Sequence, residues 1–172
     1  GDNDAITFHY LWYVNGAGSG TSQTIANTSF SKGDQVICQI MPDDGQANGT
    51  AQNSSALTID NSAPSTPTTL TLNSPAVGED LVAICSGSTD ADSDTITYYY
   101  EFNNTNDNSI VQAWGITSNY TVQASDTHDT IKVTCGAYDG TAYSAANITN
   151  TLAIGNTAPA IGLISAATVP IK

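Results

Sequence analysis

The sequence repeats itself. At an offset of 90 residues Asp2, Asp4, Ile6, Thr7 and Tyr10 match Asp92, Asp94, Ile96, Thr97 and Tyr100. At 95, Asp44-Gly45 matches Asp139-Gly140 and "LTIDNSAP" from Leu57 matches "LAIGNTAP" from Leu152, while Cys38 matches Cys135 at 97. Self-similarity at a nearly fixed offset means one structural unit used twice, so an element placed in one copy is expected at the matching place in the other. Small loop insertions account for the drift in offset.

Within each copy the apolar period is two, the period of a strand with one face buried. Ile96, Tyr98, Tyr100 and Phe102 share a face, as do Ile131, Val133, Cys135 and Ala137; Ile6, Phe8, Tyr10, Trp12 and then Val36, Cys38, Ile40 repeat this in the first copy. No segment sustains a helical period. In "YDGTAY" at 138 to 143, Asp-Gly between strand-like runs predicts a tight hairpin. The second copy reads as strands near 66 to 73, 80 to 86, 95 to 103, 109 to 114, 118 to 124, 130 to 138 and 143 to 154. Seven short strands in one copy predict an all-β fold of tandem immunoglobulin-like sandwiches.

The stretches "SGSTDADSDTITYYYEF", "DTIKVTCGAYDG" and "NTAP" resemble the tandem immunoglobulin-like modules, related to PKD and cadherin-like repeats, of bacterial and archaeal surface proteins. The resemblance covers nearly the whole chain and implies an extracellular structural or adhesive module, without implying an activity. In such a sandwich the second and sixth strands face each other and are often bridged. Cys85 and Cys135 fall in those strands, with Phe102 between them, and are expected to form a disulfide. The alternative is two buried free thiols in a reducing compartment.

By the same ruler the partner of Cys38 would fall upstream of residue 1. The first module, 1–60, is therefore expected to lack its first two strands, whereas 61–156 forms a complete module. The segment 157–172 carries Ile161, Leu163, Ala167, Val169 and Ile171 on one parity, interrupted by Ser165, and is built like the opening strand "TTLTLN" of the second module. These observations predict donor-strand complementation, in which the tail of one subunit enters the open module of the next. Such head-to-tail contacts between identical subunits build filaments when the rotation does not close a ring. The runner-up is a repeat segment of a larger cell-surface adhesin or carbohydrate-binding protein. The tail brings no cysteine for Cys38.

Acidic residues gather in the loops. Asp90, Asp92 and Asp94, with Asp139 and Asp60, are expected at one end of the second module, and Asp2, Asp4, Asp43 and Asp44 repeat the arrangement. Converging hard oxygens suit calcium, while an ordinary solvated turn is the alternative. A helix-loop-helix calcium loop ending at Glu101 is rejected, because residues 95 to 101 read as strand and would carry Glu101 about 20 Å away at about 3.3 Å per residue.

Composition narrows the partners. The formal charge is -13, with three Lys and no Arg, and a sequence pI near 4.1. Nucleic acid and anionic membrane surfaces are disfavoured, since both recruit Lys and Arg. No apolar run approaches the length of a membrane span, and no signal-peptide pattern opens the sequence; an exported protein would be in mature or trimmed form. Sequons stand at Asn27, Asn48, Asn53, Asn103, Asn119 and Asn147, so covalent glycans are expected on an exported chain, with exposure required at Asn103 and Asn119. His9 and His128 read as surface residues, and "GAGSG" at 16 to 20 as a loop with no helix to make it a phosphate site. Outward Tyr13, Tyr99 and Trp114 are of the type that stacks on sugars. No nucleophile, metalloprotease or phosphate-loop motif is present, and no enzyme is expected.

Overall fold

The computed structural model describes residues 4–156. Asp2 and the tail residues Ile161, Leu163, Ala167, Val169 and Ile171 lie outside the described residues. The chain forms two compact units: residues up to Ser65 with Thr89–Ile96 and Tyr138–Tyr143, and Thr66–Ser88 with Thr97–Ala137 and the residues from Ser144 on. Almost all regular structure is antiparallel β, with single 3-10 turns at Asn27–Ser29 and Ala124–Asp126.

The second unit is a two-sheet sandwich. β6 (Thr69–Leu72), β7 (Asp80–Ser86) and β10 (Asn119–Thr121) form a sheet in the order β10-β7-β6. β8 (Thr97–Asn104), β9 (Ser109–Gly115), β11 (Thr130–Tyr138) and β12 (Ile148–Ala153) form the other, ordered β12-β11-β8-β9. The alternating strands turn one face of each sheet inward. Leu70, Leu81, Ala83, Cys85 and Val122 meet Tyr100, Phe102, Ile131, Val133, Cys135 and Ile154 in a single buried cluster. Phe102, Leu81, Ile131 and Val133 have essentially no exposed surface.

The polar groups on these inward residues find partners, as burial demands. The Tyr100 hydroxyl accepts from the Cys85 backbone N–H at 3.3 Å, and the Tyr120 hydroxyl donates to the Asp126 carboxylate at 2.8 Å. Burial, and then the Asp126 bond, push the Tyr120 phenol up to about 12. Cys85 and Cys135 are joined by a disulfide across the core, 50 residues apart in sequence. Closing such a loop stabilises by about 4 kcal/mol on the chain-entropy model.

The first unit is one sheet: β1 (Thr7–Val14), β2 (Ala17–Gly20), β3 (Gln35–Asp43) and β4 (Gln52–Asn53) in the order β2-β1-β3-β4, with β5 (Leu57–Thr58) also paired to β3. Among the described residues no second sheet faces it. The Gly-rich 16–20, expected as a loop, is instead a strand. Asn15 and Gly16, at φ 50° and 81°, make the turn, and β2 follows at once. An Asn-Gly pair favours this two-residue hairpin because both positions need positive φ.

Candidate functional site

In the first unit, the face equivalent to the buried face of the second unit's sheet is only partly covered. Direct cross-strand partners in β1 and β3 are Tyr10 with Ile40, Trp12 with Cys38 and Val14 with Val36, so these side chains share one face with Phe8. By the repeat offsets Tyr10, Trp12, Val36, Cys38 and Leu57 correspond to Tyr100, Phe102, Val133, Cys135 and Leu152. In the second unit the first four of these equivalents are core residues and Leu152 packs against the core. In the first, Phe8 is 55% exposed and Leu57 65%, and among the described residues Val36 alone belongs to the buried apolar set. Cys38 is a free thiol, half-buried. The segment after β2 lies partly over this face, where the Trp12 indole N–H donates to the Ser22 carbonyl at 2.9 Å.

Three of the expected acidic residues converge. Asp90, Asp94 and Asp139 each offer a carboxylate oxygen within 4.8 Å of the others. The loop conformation is fixed by Asp90 Oδ1, which accepts from the backbone N–H groups of Asp92 and Asp94. Asp139 is buried, its Oδ1 capping the N–H groups of Thr141 and Ala142 at 2.6 Å. Asp139 Oδ2 accepts from the Asn61 amide at 2.9 Å. The Asn61 bond first, then the Ala142 N–H, hold the Asp139 carboxyl below the usual carboxylate range.

Sequence reasoning missed Lys32. Its ammonium is ion-paired with Asp94 and donates to Asn61 Oδ1 at 2.9 Å. The Asp94 hydrogen bond raises the Lys32 pKa against the opposing effect of desolvation. A cation is thus already placed beside the cluster. The hard oxygens fit calcium in kind, and Asp90 Oδ2 is buried without a hydrogen-bond partner, but both Asp139 oxygens and Asp94 Oδ2 accept from protein donors. Lys32 has no counterpart at the matching position of the other copy, so the repeat pattern gave no signal for it.

The remaining acidic residues are elsewhere. Asp92 caps the backbone N–H of Ser62 at 2.7 Å, and Asp60 is exposed. Asp43 and Asp44 accept from N–H groups of their own turn at Gly45, Gln46 and Ala47, and Asp4 accepts from the Gln46 amide at 3.4 Å. His9 pairs with Asp43 at 2.8 Å, and His128 sits in a turn at φ 71°.

Asn27, Asn48, Asn53 and Asn147 are exposed, whereas Asn103 and Asn119 are half-buried within strands. The Asn119 amide, the group a glycan would modify, donates to Asp80 at 2.7 Å. Tyr99 and Trp114 stack with ring centroids 6.1 Å apart. Trp114 passes close to Gly136, where an added Cβ would come within 3.0 Å of the indole and 2.3 Å of Asn147 Oδ1.

No family model matches the sequence, and no curated protein matches it. Among solved structures, the interferon gamma receptor alpha chain of chicken is similar to it in fold, with a TM-score of 0.50 and 11% identity over 87% of this chain and 86% of that one. The FN1–FN3 domains of chicken CNTN1 align over 87% of this chain and 57% of theirs, with a TM-score of 0.42 and 9% identity. The strand order, the inter-sheet core and the receptor likeness together make this an all-β protein of the immunoglobulin-like sandwich type.

Proposed function

We propose that this chain is the structural subunit of an extracellular filament, assembled head to tail by donor-strand complementation. The observation that carries the reading is the first unit's sheet: residues equivalent to core residues of the second unit stand on a face that no second sheet covers among the described residues. An apolar face flanked by short strands is an acceptor for an added strand. The apolar row of 157–172 supplies one. Burying its large side chains contributes roughly 1.5 to 3 kcal/mol each before ordering costs. A disulfide and a surface poor in Lys and Arg support an extracellular, cell-surface location, and glycans would attach at exposed Asn27, Asn48, Asn53 and Asn147.

Electron microscopy of the full chain beside a version ending at Asn156 tests this. Filaments are expected from the first and none from the second; monomers from both overturn the reading.

A second reading, a repeat segment of a larger adhesin or carbohydrate-binding protein, is favoured by the Tyr99–Trp114 stack, since paired aromatic rings suit sugar faces. Retention of the chain on a glycan array, lost in Trp114→Ala, would support it. Calcium at Asp90, Asp94 and Asp139 is compatible with either reading and would compete with Lys32 for Asp94. A calcium titration followed by calorimetry, compared with Asp90→Asn, checks it: heat that saturates in the parent and disappears in the variant is the expected result.

A further inference from the structure

The repeat offset assigns a register to the exchanged strand. "NSAP" at 61–64 matches "NTAP" at 156–159, and continuing at 95 puts Ser165 at the place of Leu70, Ala167 at Leu72 and Pro170 at Pro75. In the second unit Leu70 is the direct cross-strand partner of Cys85, and Cys85 is bonded to Cys135. The level of Leu70 along the sheet is therefore the level of the disulfide, whether a strand stands in the place of β6 or of β7. Cys135 corresponds to Cys38, whose cross-strand partner is Trp12.

We propose that the segment 157–172 of a second copy crosses the open face of the first unit in the place β7 takes in the second, running in the direction of β6, with Ser165 set against Cys38. This register rests on the strand-exchange reading above. One strand on its own has to lie over the middle of this face, and the middle is the half-buried Trp12–Cys38 pair, flanked by Tyr10–Ile40 and by Val14 with the buried Val36.

Side-chain size agrees with this register. Where the second unit sets Leu70 in the same cluster as Phe102, the first unit has the larger Trp12, and the donor row has its smallest polar residue at the matching position. The interruption of the apolar row at Ser165 is then the point where the row must be narrow. Close packing requires such compensation, because neither a void nor an overfilled site is tolerated without cost. Ile161 and Leu163 before Ser165, and Ala167, Val169 and Ile171 after it, fall on the same parity in the sequence, and in the proposed register this row would meet the exposed Phe8, Ile40 and Leu57.

The test is disulfide trapping in the full chain. Ser165→Cys and, as the opposite-parity control, Ile164→Cys are each oxidised under filament-forming conditions and run on non-reducing gels. A disulfide needs Cα atoms within about 7 Å and side chains directed at each other. The expected result is a ladder of covalently linked subunits from Ser165→Cys, abolished by Cys38→Ser, and none from Ile164→Cys. Filaments that form without the Ser165→Cys ladder, or a ladder from Ile164→Cys instead, overturn the register and leave strand exchange standing. A bridged monomer from Ser165→Cys overturns the second copy as occupant in favour of the chain's own tail. An unmodified chain that forms no filaments removes both.

Discussion

Cys38 and Cys135 hold matching places on matching strands, and their neighbours match as well, yet Cys135 is wholly buried in a disulfide and Cys38 is a half-buried free thiol. The difference lies in what stands opposite. β11 looks across at β7 and Cys85; β3 has no facing sheet among the described residues. Alternation of apolar residues turns one face of a strand inward, but burial is conferred by the opposing layer. Two similar sequences therefore reach different degrees of burial.

The comparison is broken most severely by emptying the covered core. Phe102→Ala removes a side chain with no exposed surface and should cost about 3–5 kcal/mol in denaturant unfolding. Phe8→Ala, on the uncovered face, should cost less than about 1 kcal/mol in the dispersed chain. Equal losses at the two positions would mean that the first unit has a core of its own. Replacing both Cys85 and Cys135 with Ala comes next, at about 2–5 kcal/mol. Cys38→Ala should leave unfolding nearly unchanged, since no bond is lost.

The pair Leu152 and Leu57 sharpens it further. Leu152 packs against the core and Leu57 is 65% exposed, so Leu152→Ala should destabilise the chain by about 2 kcal/mol and Leu57→Ala by a few tenths. On the proposed function, assembly raises the cost at Leu57 toward that at Leu152. Melting temperatures measured on filaments and on the version ending at Asn156 separate the two; an unchanged Leu57 effect in filaments would place the donor strand elsewhere.

Much of this was legible from the residues. Period-two runs located β7, β8, β9 and β11 to within a residue or two, because each has one face against a core and one in water. β12 begins at Ile148, five residues after the expected start, because the chain from Tyr143 first closes a single bridge to Tyr138. β2 was missed, since Gly, Ala and Ser carry no apolar pattern; the Asn15-Gly16 turn was the signal that could have found it. For the convergence of Asp90, Asp94 and Asp139, both turns were visible in the sequence, one as the Asp-rich 90–94 stretch and one as the Asp139-Gly140 hairpin. Lys32 was not legible, since its partners are 29 and 62 residues away and only the folded backbone brings them together.

The smallest expected effect is electrostatic and belongs to the first unit. Asp139 is held below its ordinary range by Asn61 and by the N–H groups of its own turn. A carboxyl depressed in the folded state contributes stability above its unfolded pKa and loses it as pH falls through the folded value, so this contribution is complete at neutral pH and fades only below about pH 4. Lys32 runs the other way. Its raised pKa gives a contribution present below the unfolded lysine value and lost as pH rises through the folded one, beyond about pH 10. Between those limits both contributions should be insensitive to pH, and the Lys32–Asp94 ion pair should be weakened by salt, because Lys32 is substantially exposed. Hydrogen exchange at the Thr141 and Ala142 amides reads this locally: faster exchange in Asp139→Asn at pH 7, converging with the parent only as pH falls through the depressed folded-state value of Asp139, is the expected result. A difference that persists undiminished in acid would show that the turn is held by packing, and the carboxylate would have no part in fixing the hairpin that brings Asp139 to Asn61.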